Sequence, residues 1–319
     1  MPEDYRTCAE RSRMTTPQWQ ADIEIDAALA TQLVRRQFPQ FAAAEIATFG
    51  AGWDNEAFLV AGSVVFRFPR RQVSAELIER EVAVLPHIAD ALPLAISHPL
   101  YVGAAVPEYP YVFAGYAQIT GATACSFPFT DALRAEIAEP LGTFVRALHA
   151  IDPQPFVERG LPPDTLARLD HTRRHVQTLE RIAFLAANGV GDLEPFVAWL
   201  EAHPPIAGAA SERCIVHGDL YARHVIVDDG GRAVGVIDWG DVHYGDRALD
   251  LAVAHLLLPV TAHGTFRAAY GAIDERTWSA ARYRAIYHAI LELDFGVRVG
   301  DAGMRAAGTA ALGFMRSLA

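Results

Sequence analysis

The side chains with the greatest capacity for chemistry fall in two short stretches. "IVHGDLYARHVIV" (215–227) sets His217, Asp219 and His224 between two apolar runs, and "VGVIDWGD" (234–241) sets Asp238 at the end of the next one. A carboxylate and two imidazoles bounded by strand-like segments are either a polar turn with locally satisfied side chains or the loop of an active site. The intervening "HVIVDDGGRAVGVID" reads as a β-hairpin turning over Asp228–Gly231. A hairpin returns the end of its second strand to the start of its first, so Asp219, His224 and Asp238 are expected to converge. A base with two metal ligands is the minimum that phosphoryl transfer to a hydroxyl requires, since that reaction is mostly positioning and charge neutralisation. Asp219 would accept the hydroxyl proton and Asp238 would hold magnesium, which prefers oxygen ligands and leans on the phosphates of its substrate.

The elements that must position these groups follow from periodicity. "AALATQLVRRQF" (27–38) repeats apolar residues at helical spacing, and strands are predicted at Ile46–Phe49, Ala57–Val60 and Val64–Phe68, the first two joined by a turn over Gly50–Asn55. A helix follows, with Ser74 as its N-cap and Leu77, Val82, Leu85 and Ile88 on one face. Strand-forming residues return around "YPYVFAGYAQITG" and end near Gln118. From residue 130 the pattern is helical, with a kink expected at Pro140, two further helices over 164–203 and an almost wholly helical stretch over 246–319. The fold class is therefore α+β: residues 1–14 as a disordered leader, an N-terminal lobe over 15–117 made of an antiparallel sheet plus a helix, and a mainly helical C-terminal lobe over 118–319.

These motifs resemble the aminoglycoside phosphotransferase family, kinases with a bilobal protein-kinase-like fold, and the "HGDLY–x–x–HV" form is closest to its macrolide phosphotransferase branch. The resemblance runs from about residue 40 to beyond 290. It implies Asp219 as catalytic base, Asp238 and His224 as metal ligands, and His217 and Asp250 as braces of the loop. His224 stands where asparagine is usual, and an imidazole is a softer ligand than magnesium prefers. Gly52, Trp53, Asp54 and Asn55 fall in the turn that covers the nucleotide. Arg67 sits where a phosphate-pairing lysine is usual, with Glu81 as its helix partner, and Tyr116 and Gln118 lie at the hinge that binds the base. Gly121 matches a glycine just past that hinge. The implied reaction is transfer of the γ-phosphate of ATP or GTP, with Mg2+, to a small-molecule hydroxyl, as in antibiotic resistance by phosphorylation. A metabolic kinase of choline, homoserine or sugar type and a nucleotide-binding pseudokinase are the alternatives.

Composition bounds these readings. The 319 residues, 51% hydrophobic and 20% charged, suit two lobes with a substantial core. The formal charge of −11 argues against a nucleic-acid partner. No apolar stretch is long enough to predict a membrane span, and no secretory signal pattern precedes the fold, so a cytoplasmic location is expected. Three cysteines, Cys8, Cys125 and Cys214, fit a reducing compartment. The chain contains no lysine; all 27 of its basic residues are arginine. A P-loop and lysine Schiff-base chemistry are thereby excluded, and arginine must carry any phosphate contact. The acids Asp192, Glu194, Glu292, Asp294 and Asp301 fall in the helical part that would wall an acceptor site, most of them on solvated helix faces. The histidines His149, His171, His175, His255 and His288 read as surface or helix-end residues.

Overall fold

The computed structural model describes residues 21–52, 54–203 and 213–316; the expected leader and Trp53 lie outside the described residues. The chain forms two compact units. The first runs to Asp90 and adds 96–119 together with the short segment 238–241; the second holds the rest.

In the first unit, helix α1 (Ala27–Gln37) is capped by Asp26, whose carboxylate accepts from Leu29 N at 2.8 Å. Strands β1 (Ile46–Ala51), β2 (Asn55–Val60) and β3 (Val64–Pro69) form an antiparallel meander. β4 (Pro99–Gly103) and β5 (Phe113–Ala117) complete a five-stranded antiparallel sheet in the order β1-β2-β3-β5-β4. Strand alternation places Phe58, Phe66, Phe68 and Phe113 in one buried cluster with Leu33 and Val34 of α1, and Phe68 stacks on Phe113 at 4.5 Å. β1 and β2 run further than the apolar pattern suggests, so the turn between them is tighter than expected, with Gly52 N donating to Asn55 O at 2.8 Å.

Helix α2 (Gln72–Ile88) corrects two expectations. Ser74 is not its N-cap: Arg71 takes that position, and the Ser74 hydroxyl donates instead to Asp54 at 2.8 Å. The buried residues are Ser74, Ala75, Ile78, Glu81, Val84, Leu85 and Ile88; Leu85 and Ile88 are among them as expected, whereas Leu77 and Val82 are only partly buried, Val82 packing beside Ile78. The reason is electrostatic, because Glu81 must face the sheet to meet Arg67 and the helix turns accordingly.

In the second unit, the two-residue strand β6 (Ala122–Thr123) pairs with β8 (Val225–Val227), which pairs in turn with β9 (Ala233–Val236). β7 (Arg213–Val216) and β10 (His243–Asp246) form a separate antiparallel pair. A short helix over Asp131–Glu136 precedes α3 (Ala138–His149), and the break between them falls at Ile137, not at Pro140. Pro140 lies in the first turn of α3, where a missing backbone N–H costs no helical hydrogen bond. Then come α4 (His171–Ala187), α5 (Glu194–Ala202), α6 (Ala248–Leu257), α7 (His263–Tyr270), α8 (Glu275–Val299) and α9 (Ala302–Met315). Every residue of α6 is buried, and α8 packs against α4, α6 and α9. Of the histidines read as surface or helix-end residues, His149, His171 and His255 do lie at helix ends, although the His149 and His255 side chains are buried, whereas His288 is buried in the middle of α8. No helix among the described residues is long and apolar enough to cross a membrane.

Gly121 illustrates how backbone chemistry sets the second sheet. Its φ is +143°, and a Cβ there would lie 2.3 Å from Val227 O. Gly121→Ala is expected to destabilise the protein by about 1–3 kcal/mol in urea titrations. Gly264→Ala, on an exposed and uncrowded helix position, should stay within about 0.5 kcal/mol of wild type.

Candidate active site

The loop after β7 is held from beneath by one carboxylate. Asp250, wholly buried on α6, accepts His217 N at 2.7 Å and Gly218 N at 2.9 Å, and His149 Nε2 lies 3.2 Å from the same group. Burial would raise the carboxyl of Asp250, but the hydrogen bond from His149 and the flanking donors hold it below its ordinary range. Gly218 takes φ +84°, which lets the chain reverse over that anchor.

His217 is a neutral imidazole of defined tautomer. Burial pushes its pKa down, the neighbouring His224 adds to this, Nε2–H donates to Ile237 O at 3.0 Å, and Nδ1 accepts Asp219 N at 3.3 Å. It therefore fixes the backbone on both sides of the hairpin. His224 donates from Nδ1 to Asp219 O at 2.7 Å, so in its neutral form the lone pair sits on Nε2, the atom a metal would take. The hairpin closes with Val225 opposite Val236 and Ile237 N donating to His224 O at 2.9 Å. Among the described residues no three His, Cys, Asp or Glu side chains are gathered as a metal cluster. Two ligands plus nucleotide phosphates, the arrangement expected for magnesium, would not need one.

Asp219 is 27% exposed at its side chain, in surroundings largely supplied by α8. Arg284 Nη2 lies 3.7 Å and His288 Nδ1 3.8 Å from Oδ1, while His224 Nδ1 is 3.9 Å from Oδ2. Arg284, His288 and Glu292 recur at i, i+4 and i+8, a spacing that puts all three on one helix face. Burial drives His288 well below its ordinary pKa, so it is neutral, and lowers that of Arg284. Burial, reinforced by the charge of Asp219, pushes the Glu292 carboxyl up to about 8. This face was not singled out as an active-site element from sequence. The available signal was Arg–x3–His–x3–Glu inside the otherwise apolar "YRAIYHAILEL".

The first unit carries a second set of groups. Arg67 on β3 donates to Glu81 at 3.0 and 3.1 Å, and the Tyr116 hydroxyl donates to the same carboxylate. Burial is the largest influence on both members of the pair; it pushes Glu81 up while Arg67 draws it back, and Glu81 keeps the guanidinium protonated. Arg67 Nη2 also reaches Asp238 at 3.5 Å, and Arg80 donates to Gly240 O at 3.1 Å, which ties the segment 238–241 to this unit. Asp238 has φ +64°, a left-handed conformation that side chains seldom adopt, and its side chain is half exposed. Strain of this kind concentrates at sites of function.

The remaining positions differ in what they offer. The Asp54 carboxylate is engaged by Ser74 and Arg71, whereas Asn55 is buried with its Oδ1 lacking a protein partner among the described residues. The Tyr116 side chain points at Glu81, so only its backbone could touch a base. Gln118 N is committed to Ser63 O at 2.9 Å, which leaves its carbonyl and side chain. The acids expected along the helical wall mostly have local duties. Asp192 pairs with Arg316 at 2.5 Å, Asp294 with Arg298 at 2.8 Å, and Asp301 caps α9 through Met304 N at 3.0 Å.

Residues 45–284 match the phosphotransferase enzyme family (APH). Among solved structures, the GDP complex of wild-type aminoglycoside 2'-phosphotransferase-IIIa is 20% identical and superposes with a TM-score of 0.67 over 92% of this chain and 99% of that one. Macrolide 2'-phosphotransferase MphH from Brachybacterium faecium, an apoenzyme, is 21% identical, with a TM-score of 0.58 over 90% and 97% of the two chains. The streptomycin–ATP ternary complex of APH(2")-IIa is 20% identical, with a TM-score of 0.57 over 91% and 96%. At these identities the likeness is one of fold, a kinase-like architecture with an antiparallel N-terminal sheet. Together with the match over most of its length, it establishes that the chain belongs to the phosphotransferase enzyme family.

Proposed function

We propose that the protein transfers the γ-phosphoryl group of ATP or GTP to a hydroxyl of a small molecule, with Asp219 as the catalytic base. The observation that carries this reading is the setting of Asp219. Its backbone is locked from both sides by His217 and His224, and its carboxylate is partly exposed. A base held so orients the acceptor hydroxyl and takes its proton as the oxygen attacks phosphorus in line. Family neighbours captured with GDP or ATP support a nucleoside triphosphate as donor.

Arg67, fixed by Glu81 and Tyr116, supplies the phosphate-binding cation that lysine supplies elsewhere, and its planar fork can clamp two oxygens. Asp238 would hold magnesium through a carboxylate oxygen and His224 through Nε2, and a bound metal would supply charge neutralisation at the phosphates. His288 stays neutral beside the base and does not compete for its proton. The neighbours' names point to aminoglycoside or macrolide antibiotics as acceptors. A metabolic alcohol is the second reading, favoured by the buried Arg284 beside Asp219.

Asp219→Asn should lower kcat by about 10²–10⁴ while nucleotide affinity, measured by calorimetry, is kept; unchanged turnover would remove Asp219 from the base role, whereas nucleotide binding by wild type without any transfer would fit a nucleotide-binding pseudokinase. His224→Ala should raise the Mg2+ concentration for half-maximal transfer by about tenfold, and His224→Asn should restore it. Glu292 gives a pH test. Its folded pKa lies above the ordinary 4.5, so its contribution is fully present at low pH and is lost as pH rises through about 8. Wild-type stability should fall across that window, and Glu292→Gln should flatten the curve in denaturation series from pH 5 to 9.

A further inference from the structure

The surroundings of the base hold an excess of buried positive charge. Arg174 of α4 and Arg284 of α8 lie 5.0 and 5.6 Å from the centre of the Tyr287 ring, and Arg181 lies at 5.6 Å. Arg181 has Asp294 at 3.6 Å. Among the described residues the carboxylate nearest Arg284 is that of Asp219, at 3.7 Å, and its Nη2 also approaches His288 Nδ1 at 3.4 Å. Arg174 is 4% exposed and donates only to neutral acceptors: Gln177 Oε1 at 2.9 Å, the Tyr287 hydroxyl at 3.0 Å and Leu166 O at 2.7 Å. Its Nε has no acceptor among the described residues.

A buried guanidinium without an anion is costly, and the cost is tolerated where an anion arrives with a ligand. The chain as a whole is strongly acidic, so this local surplus is not a by-product of composition. Three of the acids that could have welcomed a polycationic acceptor, Asp192, Asp294 and Asp301, are spent on Arg316, on Arg298 and Arg181, and on a helix cap. From the arginines converging on Tyr287 beside Asp219 we infer that the acceptor is a small alcohol bearing an oxyanionic group, a carboxylate or a phosphate, a few bonds from its reacting hydroxyl.

Arg284, 3.7 Å from the base, takes the oxyanion, and Arg174 reinforces it through the shared aromatic ring. The same charges repel cationic acceptors, and this negative selection excludes aminoglycosides. The inference rests on the phosphotransfer reading for the identity of the ligand as acceptor, but the anion site itself can be tested without turnover.

The first measurement is transfer from ATP or GTP with Mg2+ to matched acceptors: glycerate against glycerol, gluconate against glucitol, L-homoserine against its amide, with kanamycin and erythromycin alongside. Acids should be turned over and their neutral counterparts used at least about tenfold less well. Arg174→Gln should raise the KM for an acid about tenfold or more with less effect on its neutral counterpart, and Arg174→Lys should recover part of the loss. The second measurement titrates inorganic phosphate and malonate into protein loaded with a non-hydrolysable nucleotide. Wild type should bind at least one of them, and Arg174→Gln should weaken that binding about tenfold. Thermal melts check that each variant is folded; should Arg174→Gln fail to fold, Arg174→Lys and Arg284→Gln carry the comparison.

Preferred use of neutral or cationic acceptors overturns the inference, as does anion binding that is absent from wild type or equal in the variant. A loss of kcat in Arg284→Gln that is alike on every acceptor, with the acid KM unmoved, assigns Arg284 to the transferring phosphoryl group and also overturns it. If no acceptor is phosphorylated, the phosphotransfer reading falls, while the titration still decides the anion site.

Discussion

The arrangement around Asp219 depends on one buried carboxylate. Asp250 sits on a helix with no exposed residue, and it receives two consecutive backbone N–H groups of the loop, with a histidine on the same group. An ionised group so deep would be costly if any of those donors were lost. The cost works as a constraint, since only one path of the 217–219 backbone satisfies it. From that path follow the His217 bond to Ile237, the closure of the hairpin and the bond of His224 to the carbonyl of Asp219. Asp219 inherits its position from hydrogen bonds made by its backbone and by its neighbours.

Arginine without lysine shapes the rest. A guanidinium is a charge and a flat surface at once, and the protein uses both properties. Arg298 lies 3.5 Å from the centre of the Phe184 ring and Arg282 4.3 Å from that of Trp199, while Arg134 sits against Phe129 at 4.5 Å and Phe314 at 4.8 Å. At Arg67 the same group is held by Glu81 and lies 5.4 Å from the centre of the Tyr116 ring. Around Tyr287 the stacking brings several cations close together, at an electrostatic cost that packing alone does not repay. The Tyr287 cluster is the place where three arginines meet one ring, and its Arg284 lies 3.7 Å from Asp219.

Much of this was legible in the residues. The hairpin could be read because its apolar strands are short, its turn is Gly- and Asp-rich, and its ladder is local. Asp219, His224 and Asp238 stood out because polar groups in strand-bounded loops are rare without a reason. Arg67 and Glu81 were visible only through the family resemblance, which implies a cation on the third strand and its acid partner on the following helix. The face of α2 was misjudged by one position, since an apolar count does not anticipate that a glutamate will be the buried residue. The break at Ile137 in place of Pro140 was missed because proline in a first turn breaks nothing.

Local chemistry, then, was written in the chain order: the kinds of side chain, the hairpin that gathers them, and the exclusion of every lysine-based mechanism. Tertiary packing alone decided which residues far apart in sequence gather around Asp219 and Tyr287. Arg284, His288 and Glu292 come from a helix more than sixty residues beyond Asp219, and Arg174 comes from one forty-five residues before it. Neither spacing nor composition can report such meetings, because they are settled by how helices pack and by which buried charges must be neutralised when they do.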